Sequence, residues 1–439
     1  MSDELIIIGG GLAGSEAAWQ AAKRRVRVRL YEMRPGKMTE AHATSSLGEL
    51  VCSNSLRSND PHTGPGLLKK ELSIAGSLIM EAAESTTVPA GSALAVDRTL
   101  FGEYITKKLS EDPNITIIRE EVKTLPDTTA IIATGPLTSQ SMTGALSGLT
   151  GENYLYFYDA IAPIIDAESI DRNKVYAMSR YGKGGDDYLN CPMSKEEYEL
   201  FYQAVLDAEK VNPKGFEDTK VFEGCMPIEV MASRGVDTMR YGPMKPVGLP
   251  DPRTGKDPYA VVQLRTENRE TTAYNMVGFQ TRLTWPEQKR VFSMIPGLEH
   301  ADFLRYGSIH RNTFINAPVL LNKDLSFKQR PDLFLAGQIT GVEGYIESTA
   351  MGLIAGINAA LRIQGKGLPE VPVFSAHGAL IRHITESESR HFQPSNINFG
   401  LFPASEGLVR MRDKKLKKAR IAEQALEAWE KYVAQVYAA

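Results

Sequence analysis

Four apolar residues, Leu5-Ile6-Ile7-Ile8, run unbroken into a cluster of glycines near the start of the chain, the pattern of a buried parallel strand. The alanine-rich stretch from Ala13 to Arg24 then predicts a helix, and the alternating Val26 to Tyr31 predicts a second strand. Asp97 stands where a helix to Ser110 needs its N-cap, with Leu100, Tyr104, Ile105 and Leu109 on one face. Ile115 to Ile118 and Ala130 to Ala133 read as further strands. Strands alternating with helices predict a doubly wound parallel sheet. The same texture returns at Leu333 to Gly337, followed by a small-residue helix from Tyr345 to Ile363 and a charged helix from Arg412 to Val436. Between them the pattern changes. Residues 158–316 are rich in glycine, proline, methionine and charge, with turn signals at Gly182-Lys183-Gly184-Gly185 and Pro250-Asp251-Pro252. The expected organisation is one discontinuous α/β domain, residues 1–157 and 317–439, interrupted by an α+β insertion at 158–316.

Composition narrows the class without naming a partner. Of 439 residues, 42% are apolar and 23% charged, enough for a sizeable core. A net charge of -3 points to no partner by itself. No uninterrupted apolar run reaches the length of a membrane span, and the acidic start Ser2-Asp3-Glu4 is unlike a basic secretory leader. Three cysteines fit a reducing cytoplasm, so a cytoplasmic location is expected. His377, His383 and His391 are too irregularly spaced for a metal pair, and no metal site is predicted.

The strongest chemical motif is Gly9-Gly10-Gly11-Leu12-Ala13-Gly14, which fits G-x-G-x-x-G between a strand and a helix. Gly9 permits the turn, Gly11 lets the backbone approach a pyrophosphate, and Gly14 lets helix and sheet pack closely. Glu32 ends the second strand about twenty residues on, where it could accept hydrogen bonds from a ribose. Two later segments favour FAD over NAD. Ala130 to Gly135 is similar to the second glycine-containing strand of two-dinucleotide-domain flavoproteins. Asp332 to Gln338, with Gly337, Gln338, Gly344 and Gly352, is similar to their C-terminal flavin motif. The expected fold is therefore a Rossmann-like FAD-binding domain of the glutathione-reductase type. A second G-x-G-x-x-G is missing, so NADH or NADPH is expected to bind only transiently.

Cys52 lies in ELVCSNSLRS, with Arg57 near enough in sequence to favour a thiolate. Cys225 lies in FEGCMPIE, with only Lys220 and Arg234 nearby. Local context leaves both open between reactive thiol and buried small hydrophobe, while Cys191, just before Pro192, reads as structural. Arg410 to Arg420 carries seven cations and one anion, including Lys414, Lys415, Lys417 and Lys418. Arg305-Tyr306-Gly307 and His310-Arg311-Asn312 mix cations, aromatics and amides. Such mixtures suit RNA, although a solvated helix face explains the C-terminal run equally well.

Glu49 to Ser58, Gly66 to Met80, Phe222 to Met239, Tyr241 to Leu249 and Arg305 to Pro318 together resemble the signature segments of the bacterial folate- and FAD-dependent tRNA (uracil-5-)-methyltransferases. The resemblance runs over essentially the whole chain. The glycine motifs and Asp332 to Ala360 are shared with the larger flavoproteins that modify the tRNA wobble uridine. The resemblance implies that Cys52 and Cys225 are the functional pair, with Cys225 attacking C6 of uracil in the T loop. It implies methylenetetrahydrofolate as carbon donor and FAD, reduced by NADH or NADPH, as methylene carrier and hydride source. Cys52 would remove the C5 proton or guard the carbon. tRNA is the expected partner, with no obligate protein partner. A small-molecule flavin oxidoreductase would account for the glycine motifs but leave the cysteine segments and basic runs unexplained.

Overall fold

The computed structural model describes residues 4–150, 154–211, 226–268, 270–403, 411 and 413–438. A five-stranded parallel sheet has the spatial order Leu333–Leu335, Ala130–Ile132, Glu4–Ile8, Arg27–Tyr31, Ile115–Ile118. The strand that returns from the last third of the chain therefore lies at one edge, beside Ala130–Ile132. The helix Leu12–Lys23 follows the first strand, and Asp97 caps Arg98–Glu111 by accepting from Thr99 and Leu100 N–H. The late helix occupies Tyr345–Ile363, as the small-residue run predicts.

Close packing sets the relation of that helix to the first one. A Cβ built on Gly352 would lie 2.2 Å from the Ala13 carbonyl oxygen, and one on Gly356 would lie 2.5 Å from that of Ala17. Only glycine allows the two backbones to meet at this distance. Gly352, expected to face the cofactor, instead forms the crossing of two helices.

The middle of the chain builds a second, antiparallel sheet of six strands. Their order is Tyr176–Ala177, Tyr188–Met193, Ala260–Thr266, Ala273–Met276, Ile164–Asp166, Phe303–Arg305. Its apolar face has a core of its own, including Phe201, Phe279, Phe292 and Cys191. Cys191 is fully buried, and burial pushes its thiol well above the ordinary range. The two sheets are connected by an antiparallel ribbon, Tyr154–Ile161 against Ser308–Ile315. A boundary at residue 158 cuts this ribbon, because its partner strand is remote in sequence.

The C-terminal helix, Lys414–Ala438, docks on the parallel-sheet core through Trp429. Its indole N–H donates to the Glu71 carbonyl at 2.7 Å, and its ring stacks on His377 at 4.0 Å. No helix among the described residues is long and apolar enough to cross a membrane.

Candidate active site

A cleft partly open to solvent runs along the carboxyl ends of the parallel strands. Gly9, Gly10, Gly11, Leu12, Ala13, Glu32, Gly135, Gly337 and Gln338 all line it. Gly9 has φ +105°, and a Cβ on Gly14 would come within 1.8 Å of the Gly9 carbonyl oxygen. Gly11 meets nothing within 4 Å, so its backbone is bare toward the cleft. As N-cap of the first helix it also leaves the first-turn N–H groups without a side-chain partner. A bare backbone at a helix N-terminus is the cradle a pyrophosphate requires, so these residues fit FAD. Gly344 caps the late helix at φ +117°. Tyr345 and Ser348, in the first turn of that helix, line the cleft.

Glu32 is buried and has a partner that the motif does not show. Its carboxylate accepts from Gly10 N–H at 3.0 Å, Arg34 N–H at 3.0 Å, Arg34 Nε at 2.9 Å and Arg34 Nη2 at 3.1 Å. Those four donors fill the roughly four acceptor positions of a carboxylate. Burial pushes the Glu32 carboxyl up, but Arg34 and the Gly10 N–H outweigh it and hold it below the usual range. Glu32 thus locks the glycine loop to Arg34, and a ribose hydroxyl must share acceptors that are already occupied.

The Cys52 loop lies beside this cleft, whose wall includes Val51 and Tyr345. Cys52 N–H donates to the Tyr345 hydroxyl at 2.7 Å. Arg98 donates to the Leu50 carbonyl and, at 3.1 Å, to the Cys52 carbonyl, while Glu267 holds its Nη2 at 3.0 Å. Arg305 donates to the Val51 carbonyl at 2.8 Å. Arg265 fixes the next turn through Ser53 Oγ at 2.8 Å and Asn54 Oδ1 at 2.9 Å. Burial opposes the Arg98 charge, but Glu267, Tyr345 and Cys52 outweigh it and raise its pKa. Burial and the Arg98 charge lower that of Arg305, with Cys52 opposing. Cys52 therefore sits in the field of two guanidinium groups, the setting that favours a thiolate.

Several expectations change here. Arg305 is a half-buried support of the Cys52 loop rather than an open RNA contact. Arg57, the cation near Cys52 in sequence, is an ion-pair partner of fully buried Glu347. Lys69 lies in the same pocket, donating to the Leu56 and Arg57 carbonyls at 3.0 and 2.9 Å. His310 and Arg311 lie on the connecting ribbon, in register with Asp159 and Tyr158. Lys415 and Lys418 are exposed on the C-terminal helix, Lys417 is half-buried there, and Lys414 is its first residue. Cys225 lies outside the described residues. Arg98, Arg265, Glu267 and Tyr345 were missed because their partners are remote in sequence, and Arg34, only two residues from Glu32, because the motif calls for no cation there.

A family model described as glucose inhibited division protein A matches residues 4–367. Two relatives are named methylenetetrahydrofolate--tRNA-(uracil-5-)-methyltransferase TrmFO. The one from Desulfotalea psychrophila is 60% identical over 97% of each chain. That from Citrifermentans bemidjiense is 58% identical over 99% of this chain and all of its own. The chain belongs to the TrmFO family. GidA of Aquifex aeolicus shares the fold, with a TM-score of 0.69 at 17% identity, covering 99% of this chain and 75% of that one. Membership in the family accounts for the glycine cradle as part of a Rossmann-like FAD-binding fold. In the cleft the Cys52 segment meets the first turn of Tyr345–Ile363.

Proposed function

We propose that the protein makes 5-methyluridine in the T loop of tRNA. The carbon comes from methylenetetrahydrofolate, and the electrons come from NADH or NADPH through FAD. The observation that carries this reading is the position of Cys52, tied to Tyr345 on the cleft wall and flanked by Arg98 and Arg305.

Bound FAD supplies the hydride and the carrier for the one-carbon unit. The chain's residues bind, orient and move protons. Gly9 and Gly11 would admit the FAD pyrophosphate, Gly14 holds the glycine turn tight, and the first turn of Tyr345–Ile363, which lines the cleft, would offer the positive end of a helix to a ring that gains charge on reduction. Uracil C5 is a weak nucleophile. The Cys225 thiolate adds to C6, and the electron pair of the C5–C6 double bond moves toward O4, giving C5 enolate character. C5 then takes up the one-carbon unit and loses its proton, and Cys52 accepts that proton or shields the carbon. Loss of the C5 proton lets the one-carbon unit leave its carrier as an exocyclic methylene on C5. A hydride adds to that methylene to complete the methyl group, and the returning electron pair re-forms the C5–C6 double bond and expels the Cys225 thiolate. Extruding the base costs a few kcal/mol, supplied by contacts with the RNA. Lys415, Lys417, Lys418 and the ribbon with His310 and Arg311 are the surfaces we assign to those contacts.

The test is methylation of unmodified tRNA by purified protein with methylenetetrahydrofolate, NADH or NADPH and FAD. Formation of 5-methyluridine that needs all of these is expected, and Cys225→Ala should lower it by at least about three orders of magnitude, as loss of a covalent nucleophile does. A Cys225→Ala protein that methylates at the wild-type rate sinks the nucleophile assignment. Product formation without folate sinks the carbon source.

A further inference from the structure

Three aromatic rings form a short parallel ladder between the six-stranded sheet and the surface. Phe303 packs against the core of that sheet. Tyr306 stacks on Phe303 with centroids 5.2 Å apart and planes 16° apart. Trp285 stacks on Tyr306 at 5.6 Å and 14°. The last ring is 63% exposed, an unusual state for the largest apolar side chain. The ladder is held rigidly. Buried Gln288, on the helix Trp285–Phe292, accepts from Gly307 N–H at 2.7 Å and donates to the Gly307 carbonyl at 2.9 Å. That two-way bond clamps the helix bearing Trp285 to the turn bearing Tyr306.

Its surroundings point to an anionic, planar ligand. Lys289, one helical turn beyond Trp285, is exposed and has no ion-pair partner among the described residues. Arg305 precedes Tyr306 and reaches the Val51 carbonyl beside Cys52. On the other side, the backbone carbonyls of Gln280 and Arg282 accept from the N–H groups of Ile228 and Val211, the described flanks of the segment that carries Cys225. Tyr306 thus directly follows a support of the Cys52 segment, and Trp285 comes three residues after Arg282 in the chain.

We propose that Trp285, backed by Tyr306, is a stacking platform for an unpaired base of the substrate tRNA, with Lys289 meeting its phosphate. This rests on the RNA-methylating reading above and goes beyond it by naming where the RNA is gripped. A preset ring stack binds a base without first ordering side chains, and every base offers a π face. The platform holds a base next to the target, which the enzyme must lift from its stack.

The experiment compares wild type, Trp285→Ala, Trp285→Phe and Lys289→Ala in steady-state methylation of tRNA, each checked for FAD content and thermal stability. Trp285→Ala is expected to raise KM for tRNA by about 5- to 100-fold, the range of one lost stacking contact. Its kcat and its KM for methylenetetrahydrofolate stay near wild type. Trp285→Phe restores most of the affinity, and Lys289→Ala makes the affinity less dependent on salt. Tryptophan emission gives a second readout, because Trp429 is buried and Trp19 half-buried. A T-arm RNA should quench a component that is absent from Trp285→Phe. A wild-type KM for tRNA in Trp285→Ala overturns the platform alone. A rise in KM for folate with tRNA unaffected also overturns it, assigning the ring to the pterin instead. Failure of the wild type to make any 5-methyluridine overturns the underlying reading.

Discussion

At the scale of single residues, the pocket around Lys69 shows how burial changes a charge. Lys69 is buried beside Arg57 and Glu347. Burial and then the Arg57 charge lower its pKa to about 7, with Glu347 opposing. Glu347 is pushed up by its own burial, with Arg57 opposing, and its Oε2 has no hydrogen-bond partner among the described residues. The linkage sign for Lys69 follows from proton counts. Between about pH 7 and the ordinary lysine range the unfolded chain binds more protons at this site than the folded one, so stability rises with pH there. Below pH 7 both states are protonated and the cost of burying the charge is fully present. Lys69→Met removes that dependence but leaves the Leu56 and Arg57 carbonyls without their donor. The melting temperature of wild type minus that of Lys69→Met should therefore increase from pH 7 to pH 10. A difference that stays flat over this range would show that the site does not titrate. None of this is visible in the segment Gly66 to Met80, because the burial and both charged neighbours come from folding.

At the scale of elements, helix crossing explains two glycines that a motif reading gives to the cofactor or leaves unexplained. Gly352 and Gly356 let the helix Tyr345–Ile363 lie directly on Leu12–Lys23. This contact sets the position of the late helix, and hence of Tyr345 and Ser348 on the cleft wall. Gly352→Ala gains helix propensity but must push Ala13 away. Overpacking of this kind costs about 1–3 kcal/mol, more than the propensity gain of about 1 kcal/mol. Urea unfolding should show a net loss of stability, together with weaker FAD retention. A variant as stable as wild type would mean that the crossing relaxes freely. The helices themselves, and the Asp97 cap, were legible because their signals are periodic and local. Gly352 was misassigned because the atom that excludes a side chain, the Ala13 carbonyl oxygen, belongs to the other end of the chain.

At the scale of the whole molecule, the Cys52 loop is held from several directions. Arg98 comes from the helix after Asp97, Arg265 and Arg305 from the six-stranded sheet, and Tyr345 from the late helix. The inserted part is therefore also a support for the Cys52 segment in the first part. Arg305→Ala should leave FAD bound yet lower kcat by about tenfold or more, because a small displacement of a reacting group is costly. Alkylation of Cys52 by iodoacetamide should also slow at fixed pH, since one cation that favours the thiolate is gone. Unchanged kcat and alkylation would remove Arg305 from the site.

The order of strands and helices, the glycine cradle and the family segments were determined by the sequence alone. Each depends on residues close together in the chain, whose spacing encodes a period, a turn or a contiguous signature. The tertiary structure decided that Arg34 fills Glu32, that Arg57 belongs to Glu347, and that Arg98 and Arg305 attend Cys52. It also decided that Trp285 ends an exposed ladder instead of entering a core. Charge pairing and ring stacking act through space over a few ångströms, and, apart from Glu32 and Arg34, which are near neighbours in the chain, only packing brings such partners within reach.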